Sequence, residues 1–264
     1  MNQRDPSSPL VTVIMPVFNG TATLHQSMMS ILRQSVPDLE LVVVDDGSSD
    51  DSAAIVERLA QTDDRVRLER RPRSGGPAAA RNTGIATAKG RYLAFCDADD
   101  MWLPHKLERQ IACAERTGAP LIYSSYHRIE PGFHDSAEDF EPSGRVVCVP
   151  TKLTYEKLLT GNHIGNLTAM VNRAVTGPVT MPDYQGAEDW ALWLTITREH
   201  GAAHGVQEPL ALYRAAQDDS HSADRVRAIR AVWRVLRDQE NVPRLKAAWC
   251  LAKNAVGALK KSKI

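Results

Sequence analysis

Four short apolar runs, residues 10–15, 39–44, 66–69 and 92–96, alternate with segments of helical periodicity, and this alternation restricts the fold more than any other feature of the chain. The runs at 10–15 and 39–44 are rich in β-branched residues and almost continuously apolar, the pattern of strands covered on both faces. Between the runs, Leu24, Met28, Ile31 and Leu32, then Ile55, Val56 and Leu59, fall at helical spacing. Residues 78–88 read as a third helix, stopped by Gly90, and a fourth passes through Leu107, Ile111 and Ala114 from Pro104 to Gly118. Each strand–helix–strand unit is a crossover, so the pattern predicts an α/β fold with a mainly parallel central sheet flanked by helices.

Beyond residue 120 the pattern loosens. Residues 121–128 read as a strand and 130–143 as a mobile polar loop containing Pro131, Gly132 and Pro142. A short helix is expected over 153–159, a strand over 167–171, a helix opening at 186–196 and a last strand over 210–213. Val226, Ile229, Val232, Trp233 and Leu236 then form a helical apolar stripe. The expected organisation is a disordered start over 1–9, one catalytic-sized domain over 10–216 and a helical extension over 217–264.

In parallel sheets, ligands bind at the carboxyl ends of the strands. Three unusual segments fall at such ends: PVFNG over 16–20, DDGSSD over 45–50 and DADD over 97–100. In an extended chain Asp97 and Asp99 point the same way and can address one ligand. Close carboxylates repel one another, and hard oxygen ligands suit Mg²⁺ or Mn²⁺, whose shell is completed by water and by phosphate oxygens of a substrate. The alternative for these acids is a polar turn capping the next helix. Glu188 and Asp189 open a later helix, where acids are also favoured by the helix dipole.

With 32 Lys plus Arg against 32 Asp plus Glu, the chain has no overall electrostatic pull towards nucleic acid, and no nucleic-acid partner is expected. The four cysteines, Cys96, Cys113, Cys148 and Cys250, are scattered and contain no Cys-x-x-Cys pair, as expected of reduced thiols in the cytoplasm. Residues 1–9 lack the apolar core of a signal peptide, and no run is long enough to span a bilayer, so a soluble protein is expected.

Taken together, VIMPVFNG (13–20), VVDDGSSD (43–50), ARNTGIA (80–86), GRYLAFCDADDMW (90–102), EDW (188–190) and YR (213–214) resemble a family-2 glycosyltransferase of the GT-A, Rossmann-like fold over about residues 11–214. The resemblance implies inverting, metal-dependent transfer of a sugar from a nucleotide-sugar donor to a glycan or lipid-linked glycan hydroxyl, in cell-surface polysaccharide or glycolipid synthesis. It implies that Pro16 and Phe18 line the nucleobase pocket, that Asp45 bonds the base, and that Asp97 faces the ribose or donor sugar. Arg81 and Asn82 would make further donor contacts, Asp99 would hold the metal, and Asp189 would be the general base; on chemical grounds its neighbour Glu188 is expected to orient or pair nearby. Relatives of this kind often carry a histidine after the Tyr-Arg pair; Ala215 and Ala216 stand there instead, which leaves His221 as the nearest candidate ligand. Segments 130–143 and 218–222 are candidate lids.

Two other readings share parts of the pattern. A sugar nucleotidyltransferase needs a Gly-rich, basic turn after the first strand, which PVFNG is not. A catalytically inactive carbohydrate- or nucleotide-binding module would not need acids at 45, 97, 99 and 189. The basic loop with Arg70, Arg71 and Arg73 is read either as an anion contact or as a solvated face. From residue 241 onward there are six Lys or Arg and no acid, and Leu245, Trp249, Ala252, Val256 and Leu259 fall on one helical stripe. That composition matches both a helix lying on an anionic membrane, at the inner face of the plasma membrane, and a terminal helix packed on the domain.

Overall fold

The computed structural model describes residues 8–142, 145–214 and 222–263, with backbone alone at 222–226 and 255–263. The strands and helices β1 (Val11–Val17), α1 (Leu24–Leu32), β2 (Leu39–Asp45), α2 (Ser52–Ala60), β3 (Val66–Arg70), α3 (Pro77–Thr87) and β4 (Tyr92–Phe95) follow one another as expected. Then come β5 (Met101–Trp102), α4 (Lys106–Thr117), β6 (Leu121–Ile129), β7 (Val146–Val147), β8 (Lys152–Leu153) and α5 (Tyr155–Leu158). After a 3₁₀ turn at Asn166–Thr168, the chain continues through β9 (Met170–Asn172), α6 (Arg173–Thr176), α7 (Glu188–His200) and β10 (Ala203–Arg214). Helix α8 (Ser222–Arg234), a π-helical turn (Val235–Gln239) and α9 (Arg244–Lys263) complete it.

One sheet runs in the order β3-β2-β1-β4-β9-β6-β10-β5. The long ladders, β1–β2, β2–β3, β1–β4 and β6–β10, are parallel, and short antiparallel ones join the two halves through β9. Register pairs Val17 with Asp45 and Ile14 with Phe95, so β1, β2 and β4 end along one edge. From β1 the chain winds outward to β2 and β3, then crosses to β4 on the other side of β1. The resulting switch point leaves a crevice at the carboxyl ends.

Strand alternation divides the core. Val13 and Met15 pack with Leu24, Met28 and Leu107 on one face, whereas Ile14 joins Leu93, Phe95, Trp190 and Trp193 on the other. On that second face Gly84 permits a close approach: a Cβ there would lie 2.9 Å from Ile14 Cγ2 and 3.2 Å from Val44 Cγ2. Helix α3 therefore rests directly on β1 and β2. Helix α7 is fixed by Trp193 against Phe95, with ring centroids 6.0 Å apart, and by the Trp190 indole N–H donating to Leu158 O at 2.8 Å. Ala231, Val235, Leu236, Val242, Ala247 and Cys250 belong to the same apolar cluster as Trp190. Glu240 accepts from Tyr155 Oη at 2.8 Å and pairs with Arg198 of α7, so the C-terminal helices brace that helix.

Several local expectations change. The expected strand at 167–171 begins only at Met170, because Thr168 turns back to bond Gly165 O through its N–H and its hydroxyl. The last strand extends back to Ala203; Gly205, Glu208 and Pro209 hide it in the sequence, and its pairing with β6 slips at Pro209. Residues 97–100 are not extended: Asp100 N–H donates to Asp97 O at 3.1 Å, closing a turn. Within the expected loop, the described residues 130–142 are tied down, with Phe133 and Phe140 packed against Met101 and Leu212, and Arg33 paired with Glu138 at 2.7 Å.

Candidate active site

The crevice at the switch point is a cleft of about 580 Å³ whose lining includes Pro16, Phe18, Asp46, Arg81, Asp97 and Asp99. Its first wall is the turn after β1, where Phe18 lines the cleft and is 56% exposed. That turn is laced to the turn after β2. Asn19, in the left-handed region at φ 52°, donates its N–H to Ser48 Oγ at 3.0 Å and accepts from Ser49 N–H at 2.9 Å. Asp45 is buried behind this lacing, with one carboxylate oxygen accepting Ser48 N–H at 3.0 Å.

Its neighbour Asp46, to which the sequence assigned no role, shapes the opposite wall. The buried Asp46 carboxylate accepts from Ser74 Oγ at 2.8 Å and from the Gly75 and Gly76 N–H groups at 3.0 and 2.9 Å, and it pairs with Arg71. Burial pushes this carboxyl up, but the donors from Ser74, Gly76, Gly75 and Arg71 together hold it below the usual range. Arg70 pairs with Glu57 at 2.7 Å on the surface, and Arg73 is exposed as well.

Arg81 is the hinge of the site. It projects from α3 one turn before Gly84, is buried, and donates from Nη2 to Asp97 Oδ1 at 2.6 Å; Nη1 lies 3.5 Å from Glu188 Oε1. Burial alone would lower its pKa, but the charges of Asp97, Asp189 and Glu188 reverse the sign and keep it protonated. One guanidinium thus ties the end of β4 to the start of α7. Glu188 also accepts Gly186 N–H at 2.7 Å. Asn82, next in sequence, is not a cleft residue: its amide donates to Met181 O and accepts from Met181 N–H, both at 2.8 Å.

Asp189 opens α7. Its Oδ1 accepts Trp190 N–H at 2.7 Å and its Oδ2 accepts from Asn162 Nδ2 at 3.0 Å. Its pKa is raised, chiefly by burial, against the opposing charge of Arg81. Asp99 is exposed in the cleft, yet desolvation by the surrounding walls and the charge of Asp97 both raise it. Asp100 is buried and raised well above its usual range by burial, with one oxygen accepting Arg214 N–H at 2.9 Å. Arg214 also bonds Asp99 O, Phe133 O and Gln26, so it anchors the acidic turn from behind. His221 and the candidate lid at 218–222, except for the backbone of Ser222, lie outside the described residues.

Among the described residues, no group of three His, Cys, Asp or Glu side chains is disposed to cage a cation. A divalent ion on a nucleotide does not need such a cage, since one or two carboxylates suffice when phosphates and water supply the rest. Asp99, exposed in the cleft and with the charge of Asp97 acting on it, could fill that role.

The Glycosyl transferase family 2 profile matches residues 12–169. A Bacillus subtilis (strain 168) protein named for teichuronic acid biosynthesis, the glycosyltransferase TuaG, is 34% identical over 253 residues, covering 96% of this chain and 97% of that protein. The Escherichia coli UDP-Glc:α-D-GlcNAc-diphosphoundecaprenol β-1,3-glucosyltransferase WfgD is 33% identical over 95% of this chain and 94% of its own. Among solved structures, the mannosyltransferase PcManGT from Pyrobaculum calidifontis, in complex with GDP-Man and Mn²⁺, superposes with a TM-score of 0.66 at 19% identity, covering 99% of this chain and 77% of that one. The chain belongs to glycosyltransferase family 2, and its mixed α/β sheet is the GT-A fold.

Proposed function

We propose that the chain transfers a sugar, with inversion, from a UDP-sugar to a hydroxyl of a glycan carried on a lipid diphosphate. The observation that carries this reading is the Arg81 bridge, which couples the acid at the donor cleft, Asp97, to the acids at the start of α7, Glu188 and Asp189. A displacement at an anomeric carbon needs the donor on one side and a base for the incoming hydroxyl on the other, held in fixed relation. The names of TuaG and WfgD support a cell-surface glycan product, and that of WfgD supports the UDP-sugar and lipid diphosphate.

In this reading Pro16 and Phe18 cover the nucleobase and Asp45 reads its polar edge. Asp97, oriented by Arg81, bonds the ribose or donor sugar. Asn82 supports these residues through Met181 rather than touching the donor. Asp99 would hold Mg²⁺ or Mn²⁺, with His221 the candidate second ligand from the sequence, and the cation would supply positive charge against that developing on the leaving diphosphate. Asp189, its pKa raised, accepts the acceptor hydroxyl's proton as the new bond forms. The experiment is nucleoside-diphosphate release from a panel of UDP-sugars with a GlcNAc-diphospholipid acceptor. Release that requires donor, acceptor and Mn²⁺ together is expected; binding of donor without acceptor-dependent release would overturn the reading.

The transferase domain over 10–216 would then present its acceptor site to a membrane through the extension over 217–264. No described helix is long and apolar enough to cross a membrane. Helix α9 buries Ala247 and Cys250, while its opposite face leaves Leu245 89% and Trp249 54% exposed, with Lys253 Nζ 5.5 Å from the Trp249 ring centre. Arg244, Lys246, Lys253, Lys260, Lys261 and Lys263 flank or follow that face with no acid after Glu240. An exposed apolar face with a Trp among cations suits the headgroup region of an anionic leaflet, where each cation adds about 1 kcal/mol. Because Val242, Ala247 and Cys250 are core residues, removing the tail would disturb the fold, and the double variant Leu245→Glu, Trp249→Glu is the cleaner probe. Salt-sensitive sedimentation with anionic but not neutral vesicles, lost in that variant, is expected; an unchanged variant, or a wild type indifferent to anionic lipid, would refute this surface.

A further inference from the structure

We propose that Asn162 is the positioning residue for the general base, setting both the orientation of the Asp189 carboxylate and the pH at which it becomes active; this rests on the assignment of Asp189 as base. Asn162 lies in the bend between α5 and the Asn166–Thr168 turn, well separated in sequence from Asp189. Its Nδ2 donates to Asp189 Oδ2 at 3.0 Å, and its Oδ1 accepts Ile164 N–H at 3.1 Å. The orientation of the amide is fixed by chemistry: a backbone N–H only donates and an ionised carboxylate only accepts, so a flipped amide would lose both bonds.

The rest of the surroundings leaves Asn162 a specific task. The Asp189 carboxylate meets Trp190 N–H on its own helix, the charge of Glu188 beside it and the charge of Arg81 from α3. The Trp190 bond holds Oδ1 along the helix start, which leaves rotation about that bond to be stopped by a contact at Oδ2. Asn162 supplies this contact, and it comes from a neutral group. A cation there would hold the carboxylate ionised but weaken it as a base; the amide orients it with a smaller loss of basicity. The bend is itself held in place: Ile164 is buried in the core and Leu158, at its start, accepts the Trp190 indole N–H at 2.8 Å. Asn162, Ile164 and Leu158 do not line the donor cleft, to which Asp189 is linked through the charge of Arg81, so a change at the neutral Asn162 acts first on the base, with little effect on donor affinity.

Two substitutions test this on the full chain. Asn162→Asp keeps an acceptor for Ile164 N–H and replaces only the donated hydrogen bond, now with a like charge. Asn162→Ala removes the contact without adding charge. Loss of one hydrogen bond to a carboxylate corresponds to a shift of about one pH unit. The acid limb of the kcat–pH profile should therefore move up by about one unit in Asn162→Ala and further in Asn162→Asp. Plateau kcat should fall about tenfold from lost orientation, with donor KM within about twofold of wild type. Thermal unfolding identifies a variant that has not folded, and the other variant then decides. If Asp189→Asn abolishes turnover but both folded Asn162 variants keep the wild-type acid limb, the positioning role is wrong while the base assignment stands. If Asp189→Asn itself retains turnover, the base assignment fails first.

Discussion

Asp189→Asn should lower kcat by about 10²–10⁴-fold while leaving the affinity for donor and for Mn²⁺ within about twofold, because a positioned base contributes that much and makes no donor contact. The same substitution should leave the protein at least as stable at neutral pH. The sign follows from the raised pKa of Asp189 in the folded chain, caused chiefly by burial. Folding binds this proton more tightly than the unfolded chain does, so stability from the group is full at low pH and is lost as pH rises past the ordinary aspartate value through the folded one. Above that window the ionised carboxylate is a cost to the fold, which an amide removes. Wild-type kcat should show the complementary dependence, rising with pH through the folded pKa as the base ionises. Loss of activity with an equal or higher melting temperature separates a catalytic acid from a structural one. A variant that loses donor affinity but keeps its turnover rate would place Asp189 on the donor instead.

Asp99→Asn is the second large effect. It keeps the shape of the turn, whose backbone is held by Arg214 through Asp99 O at 2.8 Å, and removes only the charge at the cleft. Turnover should drop at least about 10²-fold, the scale for losing electrostatic stabilisation of a leaving group, and donor binding should cease to respond to Mn²⁺. Calorimetry of UDP binding with and without Mn²⁺ reads this separately from activity. Near-normal, cation-stimulated turnover in Asp99→Asn would remove Asp99 from the metal.

The first half of the fold was legible because each strand there is a continuous apolar run and each crossover helix carries its own stripe. Residues such as Val13, Val43 and Leu93 are buried whichever partner they meet, so burial could be read without knowing the partner. The convergence of segments 16–20, 45–50 and 97–100 on one edge follows from parallel pairing alone. What was hidden depends on pairing between distant residues. Asp45 and Asp46 are chemically identical neighbours, yet one closes its own turn and the other anchors the 74–76 loop. Arg81 and Asn82 are adjacent on α3, but Arg81 lines the cleft and pairs with Asp97, whereas the Asn82 amide is taken up by the Met181 backbone. Lys106 looks like a solvated residue at a helix start; it is buried 3.8 Å from the Trp102 ring centre, and burial pushes its pKa down to about 7. Asn162 carries no sequence signal at all, since an Asn in a Gly-flanked bend is ordinary turn chemistry.

The most direct test of the account is the anomeric configuration of the product. With a UDP-α-sugar and a GlcNAc-diphospholipid acceptor, proton NMR of the early product should show only the β-linkage, because a single base acting on the acceptor permits one displacement and one inversion. A product that retains the α-configuration would require a second displacement or front-face attack, and would contradict the assignment of Asp189 as the general base.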